Sequence, residues 1–240
     1  LLYTSGTTGK PKGVPITHGN LQAFCDAFAK LGVNMRSGDR CLQMFELTFD
    51  LSVMSYLIPL LHGACVYTVP KDEIKYTFIA GMLEDHRITH ALMVPSIINY
   101  LRPYFDEINA PGLVHSLFCG EALGCEVAQE WARCVPNARV LNVYGPTEHT
   151  IFCTHYSLPS QGAKSMHGML SIGRPMEGSV IVVRDEEGRL HERSAVGELC
   201  LAGPQLTTGY WKNPERNGAS FFTAEHGGAP VRFYRTGDLC

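Results

Sequence analysis

The opening stretch of the chain, Tyr3-Thr4-Ser5-Gly6-Thr7-Thr8-Gly9-Lys10-Pro11-Lys12-Gly13, packs three glycines, four aliphatic hydroxyls and two lysines into eleven residues. Glycine lifts the steric bar to unusual backbone angles, so successive N–H groups can turn toward one point. The hydroxyls and ammonium groups add donors and positive charge. Such a stretch suits a polyanion, and a nucleotide triphosphate is the obvious one. A Walker A loop is excluded, because Thr4 stands at its first glycine position and Pro11 follows Lys10 where Ser or Thr is required. Pro11 also biases Lys10 away from helical angles, so no helix N-terminus is expected to cradle phosphate there. The plain alternative is a Gly/Thr-rich surface loop.

Four further patches carry chemistry-bearing side chains. Asp50, in Phe49-Asp50-Leu51-Ser52, stands at the start of a predicted helix; an N-cap is the stronger reading there, and a partner for a substrate ammonium the alternative. Tyr144-Gly145-Pro146-Thr147-Glu148 follows a predicted strand and gathers a ring, a hydroxyl and a carboxylate around a rigid turn. A ring can stack on a nucleobase, and a lone carboxylate beside phosphates suits Mg²⁺. Gly197-Glu198-Leu199 with Gly209-Tyr210-Trp211 reads as a turn framework and a packed aromatic pair. In Tyr234-Arg235-Thr236-Gly237-Asp238, Asp238 serves either a ribose diol or a turn.

The elements that position these patches follow from periodicity. Leu21, Phe24, Cys25, Phe28 and Leu31 repeat at helical spacing before Gly32. Helices are also predicted over 51–61, 73–86, 96–104 and 126–134, with strands over 40–45, 64–69, 90–94, 114–119 and 140–143. That alternation predicts an α/β fold of parallel βαβ units with helices on both faces. Ligands in such sheets sit at the carboxyl ends of strands, which nominates Gly120-Glu121-Ala122 and Tyr144 to Glu148. After about residue 165 the texture changes to short strand candidates over 180–184, 199–202 and 231–234. The expected division is thus an α/β part over 1–165 and a β-rich subdomain over 166–240.

Composition excludes several classes. A 240-residue chain with 45% hydrophobic and 18% charged residues is an ordinary globular protein. A net charge of −3 without any Lys/Arg cluster argues against nucleic acid as a partner. The nine cysteines form no CxxC pair and read as reduced, buried residues, and Cys119 and Cys125 lack the downstream ligands of a zinc site. No charged-then-apolar leader or membrane-length apolar run occurs, so a cytoplasmic protein is expected. The two ends resemble neither a natural start nor a natural finish, which points to part of a longer chain.

The order and spacing of the patches resemble the successive core motifs of adenylate-forming enzymes: Tyr-Thr-Ser-Gly-Thr-Thr-Gly-Lys-Pro-Lys-Gly, Phe-Asp-Leu-Ser, Asn-Val-Tyr-Gly-Pro-Thr-Glu, Gly-Glu-Leu-Cys-Leu-Ala-Gly and Tyr-Arg-Thr-Gly-Asp-Leu. That superfamily includes acyl-CoA synthetases, luciferases, peptide-synthetase adenylation domains and D-alanine–carrier-protein ligases. Asp50 resembles the ammonium-binding aspartate of members that activate amino acids, and Phe118 to Leu123 with Phe49 to Met54 look closest to the D-alanine ligases. The resemblance implies that Thr4, Ser5, Gly6, Thr7, Thr8 and Lys12 hold the β- and γ-phosphates of ATP. By the same resemblance Gly120, Glu121, Ala122, Asn142 and Tyr144 surround the adenine, and Asp238 holds the ribose. Thr147 touches phosphate or substrate carboxylate, and Glu148 binds Mg²⁺. Met54, Leu92, Leu117, Cys119, Val143, Ile151 and Phe152 line an apolar pocket for a small or uncharged amino acid, D-alanine among them. The implied product is an aminoacyl-AMP, passed to phosphopantetheine on a carrier protein. The family's N-terminal part and its mobile, lysine-bearing C-terminal domain lie outside this chain, so these residues alone are expected to turn over poorly. The rival readings are an acyl- or aryl-CoA ligase and a non-catalytic binding module of the same fold.

Overall fold

The computed structural model describes residues 1–4, 11–193 and 195–240. Its contacts separate two compact units, one made of Leu1–Leu31, Pro146–Cys153 and Pro175–Cys240, the other of Gly32–Gly145 and Thr154–Arg174. The expected division at residues 165 and 166 is therefore replaced by a discontinuous one. Segments far apart in sequence share a core, and a change of texture along the chain cannot register that.

The first unit opens on an antiparallel hairpin of β1 (Leu2–Thr4) and β2 (Lys12–Val14), with Thr4 opposite Lys12. Helix α1 (His18–Ala29) starts with a reciprocal cap: Thr17 Oγ1 accepts from Asn20 N at 3.1 Å, and Asn20 Oδ1 accepts from Thr17 N at 3.0 Å. Phe24 and Phe28 are buried on its inner face, as the spacing predicts.

The second unit runs β3 (Arg40–Gln43), α2 (Asp50–Leu61), β4 (Cys65–Thr68), α3 (Lys75–Asp85), β5 (His90–Met93), α4 (Pro95–Leu101), β6 (His115–Phe118), α5 (Cys125–Cys134) and β7 (Arg139–Tyr144). The strands lie parallel in the order β4-β3-β5-β6-β7. Strand β8 (Thr154–Ser157) joins β7 antiparallel. A small hairpin of β9 (Ser165–Met166) and β10 (Met169–Leu170) follows, and the chain leaves through the edge strand β11 (Arg174–Pro175). Every residue of β5 and β6 is buried, as strands in a sheet covered on both faces must be. Helix α5 buries Val127, Ala128, Trp131 and Cys134, and Trp131 Nε1 donates to Ser116 Oγ at 3.1 Å, so its polar atom is satisfied within the core.

In the first unit the chain resumes with β12 (Val180–Arg184), β13 (Leu190–His191), β14 (Glu198–Ala202), α6 (Pro214–Ser220), β15 (Phe221–His226) and β16 (Ala229–Leu239). The five strands form an antiparallel sheet in the order β13-β12-β14-β16-β15. Both α6 and β15 escape the sequence reading. Strand β16 extends through Tyr234 to Asp238, where a turn was one alternative, because its pairing with β14 continues past a register shift between Glu198 and Cys200.

Candidate active site

In the second unit the strand order reverses between β3 and β5: β4 lies on one side of β3, while β5, β6 and β7 follow on the other. Such a switch point opens a crevice at the carboxyl ends of the strands. Asp50 follows β3 there. It is the first residue of α2 and is buried, and the cap position belongs to Phe49, which makes no side-chain cap bond. The N-cap reading is thereby corrected. The segment after β5 and the loop after β6 meet through Glu121, whose carboxylate accepts from Ser96 N at 2.9 Å and Ser96 Oγ at 3.1 Å. Gly120 has φ +93°, a left-handed conformation that strains any residue with a Cβ. Ala122 is exposed beside it.

Asn142 and Val143 are buried on β7, with Tyr144 half-buried at its end. The Asn142 amide donates to Ser171 O at 3.0 Å. Leu92 and Leu117 are partners across β5 and β6, and both line one small void with Met54 of α2. Cys119 is buried just beyond β6, its N–H bonded to Met93 O at 3.0 Å. Of the predicted pocket residues, the second unit thus gathers Met54, Leu92 and Leu117 at one place.

The first unit holds Glu148 and the two strands that flank the opening Gly/Thr-rich stretch. Thr4 ends β1, and its buried Oγ1 has no hydrogen-bond partner among the described residues. Ser5, Gly6, Thr7 and Thr8 lie outside the described residues. Thr147 opens a single 3₁₀ turn, Thr147–His149, that places Glu148 inward with 4% of its surface exposed. Tyr210 Oη donates to Glu148 Oε1 at 2.6 Å, and Lys12 Nζ lies 3.5 Å from that oxygen and 3.2 Å from Tyr210 Oη. The ammonium also sits 4.7 Å from the centre of the Tyr210 ring, and Tyr234 Oη is 3.3 Å from Tyr210 Oη. Burial, reinforced by the neighbouring Glu148, pushes both phenols above their ordinary range. Tyr210 and Tyr234 therefore remain protonated donors at neutral pH.

Sequence reasoning gave Tyr210 only a packing role. Its contact with Glu148 joins residues 62 positions apart, and no local pattern tells a buried phenol from a buried phenyl. Gly209 helps to aim it: φ is +132°, and a Cβ there would lie 2.7 Å from Asn217 Oδ1, the atom that accepts from Tyr210 N at 2.6 Å.

After Glu148 the backbone turns sharply. Thr150 and Ile151 have φ +54° and +74°. Phe152 is fully buried, edge-on to Phe24 at 5.0 Å and tilted against Phe28 at 6.3 Å. Asp238 is exposed on β16, its N–H bonded to Thr236 Oγ1 at 3.0 Å.

The family model described as AMP-binding enzyme matches residues 1–211. The chain belongs to that family. This agrees with the resemblance carried by its five motifs. Curated relatives include a D-alanine–D-alanyl carrier protein ligase from Lactiplantibacillus plantarum, 35% identical over all of this chain and 47% of the relative. They also include the nonribosomal peptide synthetase easA from Emericella nidulans, 34% identical over all of this chain and 3% of that protein. Among solved structures, the Vibrio cholerae adenylation domain AlmE in complex with glycyl-adenosine-5'-phosphate superposes with a TM-score of 0.86 at 34% identity, covering 99% of this chain and 44% of that one. The AMP-binding chain described here thus spans about half the length of the carrier-protein ligases it matches. Among its described residues, no helix is long and apolar enough to cross a membrane.

Proposed function

We propose that the intact protein activates an amino acid with ATP and hands it to a carrier protein. A substrate carboxylate oxygen bonds to the α-phosphorus of ATP while the bond to the β-phosphate oxygen breaks, giving an aminoacyl-AMP and pyrophosphate. The aminoacyl group then moves to the thiol of phosphopantetheine, and AMP leaves. Both curated relatives named above belong to classes with carrier-protein or peptide-synthetase names, which supports the amino-acid reading over an acyl-CoA ligase.

The observation that carries the reading is Asp50, a carboxylate buried at the carboxyl end of β3 beside the switch point. A buried acid there is suited to an ammonium group, which neutral carboxylic acids lack. Met54, Leu92 and Leu117, with Cys119 and Val143, would receive a small apolar side chain; Ile151 and Phe152, which the resemblance also assigns to the amino acid, lie in the first unit, where Phe152 packs on Phe24 and Phe28. In the second unit Gly120, Glu121, Ala122, Asn142 and Tyr144 would hold the adenine. In the first unit Lys12 and Thr4, with Ser5, Gly6, Thr7 and Thr8, would take the β- and γ-phosphates. Thr147 would orient the reacting carboxylate and Asp238 the ribose. Adenylation of this kind is driven by positioning and by charge placed ahead of the transition state.

Glu148 would offer one carboxylate to Mg²⁺, which characteristically takes few protein ligands beside phosphate and water. When bound, Mg²⁺ neutralises charge on the phosphate oxygens. Lys12 now shares Glu148 Oε1 with Tyr210, so ATP would draw the Lys12 ammonium from carboxylate to phosphate.

The test is amino-acid-dependent ATP–pyrophosphate exchange by the full-length protein, across D- and L-amino acids and their deaminated analogues. Exchange with amino acids that collapses in Asp50→Ala is expected. Undiminished exchange in Asp50→Ala, or exchange with the deaminated acids alone, overturns the amino-acid assignment. Robust exchange by residues 1–240 alone would overturn the expectation that they need the rest of the protein.

A further inference from the structure

The segment that follows Glu148 is held in place by one side chain from a distant part of the first unit. Thr150 and Ile151 adopt left-handed φ values of +54° and +74° in succession. For a β-branched residue that conformation is unfavourable and persists only where the surroundings enforce it. Gln205, 1% exposed, supplies the enforcement. Its amide nitrogen lies 3.2 Å from His149 O, 3.2 Å from Thr150 O and 3.0 Å from Phe152 O. Three carbonyls can be met only by the NH₂ end of the amide, so the orientation of the side chain is settled by its partners. In return Thr150 Oγ1 donates to Gln205 O at 2.6 Å.

The neighbours of Gln205 extend the hold. His149 Nε2 lies 3.1 Å from Ala202 O, and Thr207 N donates to Glu148 O at 2.8 Å. The turn at 148–152 is therefore fastened along its length to 202–207. Gln205 is the element of that fastening that reaches the carbonyls on both sides of the strained pair.

We propose that Gln205 is the positioning residue of this turn, fixing Glu148 and Thr147 at one end and Ile151 and Phe152 at the other. The effect on substrate rests on the functional reading above; the effect on the backbone does not. Gln205 touches neither nucleotide nor amino acid in this scheme. It presents the residues that do, so its loss should change substrate preference and not merely stability.

The experiment compares Gln205→Met and Gln205→Glu, which preserve shape and remove the amide donors, with the unaltered full-length protein. Hydrogen–deuterium exchange is expected to rise about tenfold or more at 147–153 in both variants, as loss of buried bonds requires. In pyrophosphate exchange, KM for the amino acid is expected to rise by about tenfold, KM for ATP to move less, and discrimination between small and bulky amino acids to narrow. Gln205→Asn, whose amide is too short for all three carbonyls, is expected to fall between and serves if the first two do not fold. Unchanged hydrogen exchange at 147–153 overturns the proposal whatever the substrate is. Increased exchange with unaltered KM values and selectivity overturns the positioning role. Absence of amino-acid-dependent activity in the unaltered protein defeats the functional reading instead, while the exchange measurement still decides the role of Gln205 in the backbone.

Discussion

Replacing Tyr210 by Phe isolates the short bond at the centre of the first unit. Tyr210 and Glu148 are each 4% exposed, so solvent screens their contact little, and the 2.6 Å separation marks a charge-assisted bond. Such bonds contribute about 1.5–3 kcal/mol. Lys12, at 3.5 Å, is placed to offset part of the loss. A double-mutant cycle separates the pair from these side effects, using Tyr210→Phe, Glu148→Met and both together in the full-length protein, with stability read by urea unfolding. Each single variant is expected to lose about 2 kcal/mol, and the coupling to reach about 1.5–3 kcal/mol. A coupling below about 0.5 kcal/mol would mean that the phenol merely fills space beside Glu148, and the account of Tyr210 would fall.

Acid should loosen the second unit. His90 and His115 stack at 4.9 Å with 3.1 Å between His90 Nε2 and His115 Nδ1. Burial, with the neighbouring His90 and Arg139, holds His115 down at about 4, and burial also lowers His90. Because the unfolded chain takes up these protons first, stability is complete above roughly pH 6.5 and is lost as pH falls toward 4. The loss should be on the order of 2 kcal/mol by about pH 5, and His115→Gln should flatten that limb of a melting-temperature profile. Gly209→Ala should destabilise by about 1–3 kcal/mol in urea, since a Cβ meets Asn217 at 2.7 Å from a strained backbone. Glu121→Ala should weaken the start of α4 by about 1 kcal/mol, and unchanged amide protection at Ser96 would refute the capping role.

Much of the second unit is legible in the chain. Its strands and helices alternate with clear hydrophobic periods, and elements over 40–43, 50–61, 90–93 and 115–118 fall within a few residues of the periodicity because local pattern and burial agree there. The five motifs likewise identify the family from residue types alone. What local pattern cannot carry is pairing at a distance. The strand-order reversal at β3, the strand that Asp50 follows, depends on which strands neighbour β3. Strand β15 is held by its pairing with β16, and helix α6 buries none of its residues, so neither shows a marked period in its own sequence. The Tyr210–Glu148 bond spans 62 residues, and the hold of Gln205 on the turn spans 53 to 56. A buried amide or phenol far along the chain is selected by polar atoms that only the folded core brings within reach, so the chain determines which groups are available and the tertiary structure decides which of them meet.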